Sequence, residues 1–281
     1  MPSSETACSS IALFDLDHTL LAGDSNALWL SFLAERGLID GAAIMERQAH
    51  YLADYTAGRL DILAYLEFQL EPLAGRTLES LHRLLEAFAA IHLAPRIAPG
   101  AASLIAHHRV RGQRCAIVSA THRFLAEPSA KVLGIDTLLC TEAEVIDGRF
   151  TGRISGEPCF RERKIGHVLN WLATLGAAPT EVLPHTWFYS DSANDLPLLE
   201  AVGNPVAVDA DARLYAVTDE RGWQRISLRH PVAFATRTPE TSTGRGTTDP
   251  LSLCTTAVTD QGDDRGNGNI LHSAPSGTSA S

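Results

Sequence analysis

Two carboxylates spaced by one residue, Asp15 and Asp17 in Phe14-Asp15-Leu16-Asp17-His18-Thr19-Leu20, close the first apolar run of the chain. Side chains on an extended segment repeat every two residues, so both acids can face one space. Held that close they repel, unless a cation or a transferred proton reconciles them. One acid can then serve as a nucleophile and the other as an acid or base. A second acidic pair, Asp191 and Asp195, stands far downstream in Tyr189-Ser190-Asp191-Ser192-Ala193-Asn194-Asp195. Together the two segments point to metal-assisted phosphoryl transfer. Taken singly, each residue also has a plain structural role: Asp at a strand end caps turns and helices, and a lone Lys164 reads as a solvated helix residue.

The elements that must position these residues are legible in the periodicity. Residues 11–16 form a continuous apolar run, as in a parallel strand buried on both faces. From about residue 24 to 96 the spacing becomes helical, in the sets Leu28, Phe32, Leu33; Leu60, Leu63, Tyr65, Leu66; and Leu81, Leu84, Leu85, Phe88, with Gly37, Gly58 and Gly75 as helix stops. Strand and helix then alternate: a helix from Pro99-Gly100 to Val110, a strand over 114–119, a helix to Gly134 and a strand near 137–141. Asp147-Gly148 marks a hairpin. A helix over 162–175, a strand over 185–190, a helix over 194–202 and a strand over 205–208 complete the pattern. Alternating β and α units imply an α/β fold, a doubly wound parallel sheet. The helices then form a cap (24–96) inserted after the first strand of a core spanning 1–23 and 97–234. Residues 235–281, rich in Thr, Ser, Gly and Asp and without an aromatic, are expected to be a disordered tail. Ligands of open α/β sheets bind at the carboxyl ends of the strands. Asp15 and Asp17 follow the first strand, Ser119 the second, and Asp191 with Asp195 the third, while Lys164 opens a helix that can reach the same pocket.

Composition narrows the class. The formal charge of −10 over 281 residues disfavours a nucleic-acid partner, which requires clustered Lys and Arg. The five cysteines are odd in number and lack CxxC spacing, as in a protein kept reduced. No secretory leader precedes Ile11 and no apolar run reaches the ~18 residues of a membrane span. A cytoplasmic enzyme acting on a small molecule, without nucleic acid or membrane and as a monomer or small homo-oligomer, is the expectation.

Asp15-Leu16-Asp17-His18-Thr19, Val118-Ser119-Ala120-Thr121, Lys164 and Asp191-Ser192-Ala193-Asn194-Asp195 resemble the four signature motifs of the haloacid dehalogenase superfamily. The helical insertion is similar to that of its phosphoserine phosphatase-like branch, whose core is Rossmann-like with a helical cap of the C1 type. Gly23-Asp24-Ser25, Pro158-Cys159-Phe160 and Tyr189-Ser190-Asp191-Ser192 further resemble bacterial histidinol-phosphate phosphatases. The resemblance covers about residues 11–228. It implies that Asp15 attacks phosphorus, that Asp17 is the general acid and base, and that Ser119 and the Ala120 amide bind phosphate. Lys164 would offset charge, while Asp15, the Asp17 carbonyl and Asp191 would hold Mg2+ with Asp195 supporting them. Dehalogenases of this architecture lack the second acid, so Asp17 favours a phosphate ester with an alkoxide leaving group. The resemblance also implies phosphoserine as an alternative substrate; a non-catalytic phosphate-binding regulator of the same fold has no need of Asp17.

The cap carries the question of substrate. It holds ten acids, six arginines and no lysine over residues 22–96, which suits a substrate bearing cationic groups. Asp24 reads equally as a contact for a substrate amine and as the N-cap of the first cap helix. A carboxylated substrate would want an arginine, with Arg36, Arg47, Arg59, Arg76 and Arg83 as candidates. Arg123, beside the second motif, is a candidate for a leaving-group oxygen or for a nearby helix end, and His18 for shaping the loop.

Overall fold

The computed structural model describes residues 10–232, so the tail expected over 235–281 lies outside the described residues. Strand β1 (Ile11–Phe14) is followed by four helices, α1 (Ser25–Glu35), α2 (Gly41–Thr56), α3 (Ile62–Leu70) and α4 (Leu78–Phe88). Next come α5 (Ala101–Arg109), β2 (Arg114–His122), α6 (Arg123–Leu133), β3 (Thr137–Ile146), β4 (Arg149–Ser155) and α7 (Arg163–Thr174). The short α8 (Pro179–Val182), β5 (Trp187–Ser190), α9 (Leu196–Ala201), β6 (Asn204–Val208), α10 (Ala212–Arg221) and β7 (Gln224–Ile226) complete the order. The seven strands form one sheet in the order β4-β3-β2-β1-β5-β6-β7. Every pairing is parallel except β3 with β4, the hairpin closed by Asp147-Gly148. This is the doubly wound α/β architecture expected from the alternation.

Period-two alternation divides the central strands between two apolar layers. Ala12, Phe14, Ile117, Tyr189 and Val206 face the layer containing α5 and α6, together with Trp29, Phe32 and Phe88 of the inserted helices. Ile11, Leu13, Ala116, Val118, Phe188 and Ala207 face Val168 and Leu172 of α7, Leu198 and Leu199 of α9, and Leu214 of α10. A strand buried on both faces has no polar side to alternate, hence the unbroken apolar run in the sequence. All four residues of β1 are fully buried at the centre of the sheet.

The inserted helices start on side-chain caps: Asp24, Asp40 and Asp61 accept from the first-turn amides of α1, α2 and α3, and Thr77 forms a capping box with Ser80 ahead of α4. The expected stops Gly37, Gly58 and Gly75 adopt φ of 67°, 74° and 76°, a region that costs other residues a steric penalty.

Several details depart from the periodicity. β1 ends at Phe14, and Leu16–Leu20 make an irregular turn. Asp17 therefore does not alternate with Asp15 along a strand; it belongs to the turn. β2 runs on to His122 and β3 to Ile146. Leu63 is 48% exposed, because Asp61 starts α3 late enough that the seated residues are Leu66, Phe68, Gln69 and Leu70. α10 and β7 extend the sheet where the spacing gave no signal. No helix of the described residues is long and apolar enough to cross a membrane.

Candidate active site

The sheet order puts β1 between β2 and β5, so their carboxyl ends meet in one place. Phe14 is in register with Ile117 and Tyr189, and the Asp15 amide donates to Tyr189 O at 2.9 Å, carrying the strand pairing into the site. Above these ends lies a cavity of about 470 Å³, lined by core residues on one side and by α1, α2 and α3 on the other. Asp15, Asp17, Asp24, Ser119, Ala120, Lys164, Asp191 and Asp195 all line it.

Lys164, 3% exposed, donates to Asp15 Oδ1 and to Asp195 Oδ2, each at 2.8 Å. The Ser190 hydroxyl also donates to Asp195 Oδ2 at 2.7 Å. Burial works against the lysine charge, but the two carboxylates override it and raise the ammonium above its ordinary value. Burial pushes Asp15 up to about 6, with Lys164 pulling the other way. Asp191 is raised well above the usual carboxylate range by burial, then by the charges of Asp15 and Asp195. Its partner is Thr19, whose hydroxyl donates to Asp191 Oδ1 at 3.0 Å and accepts from the Asp191 amide at 3.1 Å.

Asp17 is held by three donors: the Ser25 amide at 2.8 Å, the Ser25 hydroxyl at 3.0 Å and the Thr121 hydroxyl. Burial pushes it up to about 7, and the nearby charge of Asp24 adds to that. A carboxyl group in that range can both give and take a proton near neutral pH. The turn that delivers it depends on His18, which sits at φ 58° and also lines the cavity. Ser119 is buried at the end of the β2 pairing with Cys140, and its Oγ accepts from the Thr121 amide at 3.2 Å.

The motif residues from three strand ends and one helix start are thus brought together. Asp24 lines the cavity and also caps α1, accepting from the Ala27 amide at 2.9 Å. Arg123 is a correction: it does not line the cavity. It opens α6 on the far side of the β2 end, where its side chain pairs with Glu142 at 2.6 Å and donates to Leu138 O at 2.9 Å. The cap arginines are also committed elsewhere: Arg36 lies over Phe32, Arg47 pairs with Glu71 and Arg59 with Asp54. None of the five arginines named above lines the cavity.

Three positioning residues escaped the sequence reading. Asp211 caps α10 through the Leu214 amide at 2.7 Å while its other oxygen accepts from the Ala193 amide at 2.9 Å, tying down the loop that carries Asp191 and Asp195. Arg229 donates to the carbonyls of His18 and Leu21, bracing the turn that carries Asp17. Tyr55 of α2 shares a hydrogen bond of 3.0 Å with Ser192, joining the inserted helices to the Asp191 loop. An Asp ahead of a weakly apolar segment, here Asp211, was the available signal.

The fold and this constellation define a hydrolase built around a carboxylate at the head of a central parallel strand. The chain belongs to the haloacid dehalogenase-like hydrolase family, whose model matches residues 12–200. It is 38% identical over 221 residues to the histidinol-phosphatase of Neisseria meningitidis serogroup C (strain 8013), covering 78% of this chain and 99% of that one. It is 34% identical to the phosphoserine phosphatase SerB1 of Mycobacterium tuberculosis (strain ATCC 25618 / H37Rv), over 76% of this chain and 69% of the relative. The crystal structure of a Bordetella pertussis Tohama I protein of unknown function superposes with a TM-score of 0.73 at 40% identity, covering 78% of this chain and 98% of that one.

Proposed function

We propose that the chain is a magnesium-dependent histidinol-phosphatase, hydrolysing L-histidinol phosphate to L-histidinol and phosphate. The observation that carries the substrate is the charge of the cavity lining. Among the described residues Lys164 is the only lysine or arginine in it, and both neighbouring carboxylates claim its ammonium. A substrate carboxylate would enter beside Asp24 without a cation to meet it, at a substantial desolvation penalty. Histidinol phosphate carries an amine and an imidazole and no carboxylate, which suits an acidic, arginine-free wall. The similarity to the Neisseria histidinol-phosphatase supports the same choice. Phosphoserine is the second reading, favoured by the similarity to SerB1 and opposed by the missing cation.

In this reading Asp15 attacks phosphorus in line, so that an O–P bond to Asp15 forms as the bond to the leaving alkoxide breaks. Protonated Asp17 passes its proton to that alkoxide and, as a carboxylate, takes one from the water that then hydrolyses the aspartyl-phosphate. Ser119 and the Ala120 amide bind phosphate oxygens, and Lys164 offsets the charge shared by nucleophile and phosphate.

The donor set fits magnesium. The described residues hold no cluster of three or more His, Cys, Asp and Glu side chains arranged around an ion. Hard oxygen donors are nevertheless concentrated at Asp15 and Asp191, two carboxyls raised first by burial and then by neighbouring carboxylate charge. The Asp17 side chain faces Ser25 and Thr121, and Asp195 faces Lys164 and Ser190, so Asp17 would contribute its main-chain carbonyl to a Mg2+ shell and Asp195 would support it. Bound there, Mg2+ supplies charge neutralisation for the phosphate and its transition state. A cytoplasmic setting is supported by the free thiols of Cys115, Cys140 and Cys159.

Phosphate release with Mg2+, measured side by side on L-histidinol phosphate and L-phosphoserine, tests the reading. A kcat/KM higher for histidinol phosphate by at least about 100-fold is expected, as for a site that would bury an unpaired carboxylate. Equal or reversed preference overturns it.

A further inference from the structure

Two buried amides stand in the cavity wall with their carbonyl oxygens unpaired. Asn26 of α1 is 6% exposed and Gln69 of α3 is 3% exposed, and both line the cavity. Asn26 Nδ2 donates to Thr121 Oγ1 at 3.2 Å, and that hydroxyl is itself engaged in donating to Asp17. The amide is thereby oriented with Oδ1 as its free end, and Asn26 Oδ1 has no hydrogen-bond partner. The Gln69 amide lies against the Tyr65 phenol, yet Gln69 Oε1 also has no hydrogen-bond partner.

A buried acceptor left unmade is costly, and α3 is otherwise apolar on its seated side, with Leu66, Phe68 and Leu70. A leucine or methionine at position 69 would avoid that penalty. Neither oxygen is reached by water, but the terminal torsion of an amide side chain is soft, so a small rotation presents it to a donor entering the cavity. Two of the neighbouring tyrosine hydroxyls are engaged, Tyr51 with Ala64 O at 3.3 Å and Tyr55 with Ser192 at 3.0 Å, which leaves the ligand as a source of the donor. Tyr65, pushed up by burial, stays a neutral phenol.

We propose that Gln69 is a specificity-determining residue which, together with Asn26, accepts N–H hydrogen bonds from a heteroaromatic ring on the leaving alcohol. This rests on the phosphatase reading above and adds the means of selection. Tyr51, Tyr55 and Tyr65 line the same end of the cavity and supply an aromatic wall for a planar ring. A site built around acceptors rejects an ester lacking the N–H, because its buried oxygens then stay unpaired.

The test compares L-histidinol phosphate with phosphoethanolamine, which keeps the phosphate and the amine and lacks the ring. Gln69→Met, of equal length and without polar atoms, is expected to raise KM for histidinol phosphate about tenfold with kcat little changed, the loss of roughly one hydrogen bond. Its kcat/KM for phosphoethanolamine should hold within about twofold, and Gln69→Glu, which keeps the acceptors, should restore the histidinol phosphate KM. An equal change on both esters marks a structural role and overturns the proposal, as does no change on either. If Gln69→Met fails to fold, the wild-type enzyme decides: methylating a ring nitrogen of histidinol phosphate must lower kcat/KM about tenfold, and full activity on both N-methyl esters overturns the assignment. A wild-type protein that hydrolyses neither ester overturns the phosphatase reading and the role of Gln69 with it, whereas turnover of histidinol phosphate without the Gln69 effect overturns only the latter.

Discussion

Lys164 on the floor of the cavity meets two carboxylates at 2.8 Å, whereas Gln69 in its wall is just as buried and leaves its carbonyl oxygen unpaired. Nearly every polar group on the floor is held by another: Asp17 by Ser25 and Thr121, Asp191 by Thr19, Asp195 by Ser190. Such preorganisation suits chemistry that is the same for every phosphate ester, since fixed charges and donors need not reorganise during reaction. The wall, built by the inserted helices, keeps its acceptors open and carries Asp24 as its acid. Open acceptors suit selection, because each is satisfied only by the right leaving group. On the proposed reading the floor sets what is done and the wall sets to which alcohol.

The strongest way to break that division is at Asp15, the proposed nucleophile. Asp15→Asn should lower kcat by roughly 10⁴-fold or more on every phosphate ester alike, with the fold retained because Lys164 keeps Asp195. Stopped assays on two esters with a thermal melt check it; retained turnover would remove Asp15 from its role. One step outward, Asp211→Ala frees the Ala193 amide and uncaps α10. The expected outcome is a 10- to 100-fold weaker affinity for Mg2+, or the same loss in kcat, and about 1 kcal/mol less stability. Magnesium titration of activity separates the two effects. A change in substrate preference instead would place the Asp191 loop in the wall.

Asp24 sharpens the comparison because it serves both regions. It caps α1 and contributes negative charge to the cavity, and its field reaches Asp17. Asparagine caps a helix about as well as aspartate, so Asp24→Asn removes the charge and keeps the cap. KM for an aminated ester should rise about five- to tenfold, as for one partly exposed charge contact, with Tm unchanged. Asp24→Ala should add a loss of about 1 kcal/mol. An unchanged KM in the asparagine variant would leave Asp24 as a cap alone.

The floor was far more legible in the sequence than the wall. Asp15 and Asp191 follow strands buried on both faces and Ser119 lies near the end of another, and such apolar runs advertise the strands. Once the alternation fixed a parallel sheet, their convergence followed from topology. Arg123 was placed by adjacency to Ser119, but a residue starting a helix points by the helix phase, and here that led to Glu142. Leu63 was assigned inward by spacing alone, and the Asp61 cap set the phase otherwise. α10 went unread because its sequence, ARLYAVTDER, buries only Leu214 and Thr218, and with it went Asp211. Gln69 did carry a signal, a lone amide among Leu66, Phe68 and Leu70, but only the packed cavity tells a solvated glutamine from a buried one.

The smallest expected effect separates the two regions by pH. Asp15 and Asp17 are raised to about 6 and about 7 from an ordinary value near 3.8. Between about pH 4 and 7 the folded protein therefore binds more protons than the unfolded chain, which has already released them. By linkage, stability falls with rising pH wherever the native state holds more protons. The metal-free protein should accordingly melt a few degrees lower at pH 8 than at pH 5.5, as for a change of about 1–2 kcal/mol in a chain of this size. Mg2+ competes with those protons for the floor carboxylates, so it should raise Tm more at pH 8 than at pH 5.5. Asp17→Asn should flatten part of the slope, while Gln69→Met, which changes no titratable group, should shift Tm equally at both pH values. Differential scanning fluorimetry across pH, with and without Mg2+, reads all of this. A slope of opposite sign in the metal-free protein would mean that the floor carboxylates are ionised in the folded state at acid pH, and that Lys164 outweighs their burial.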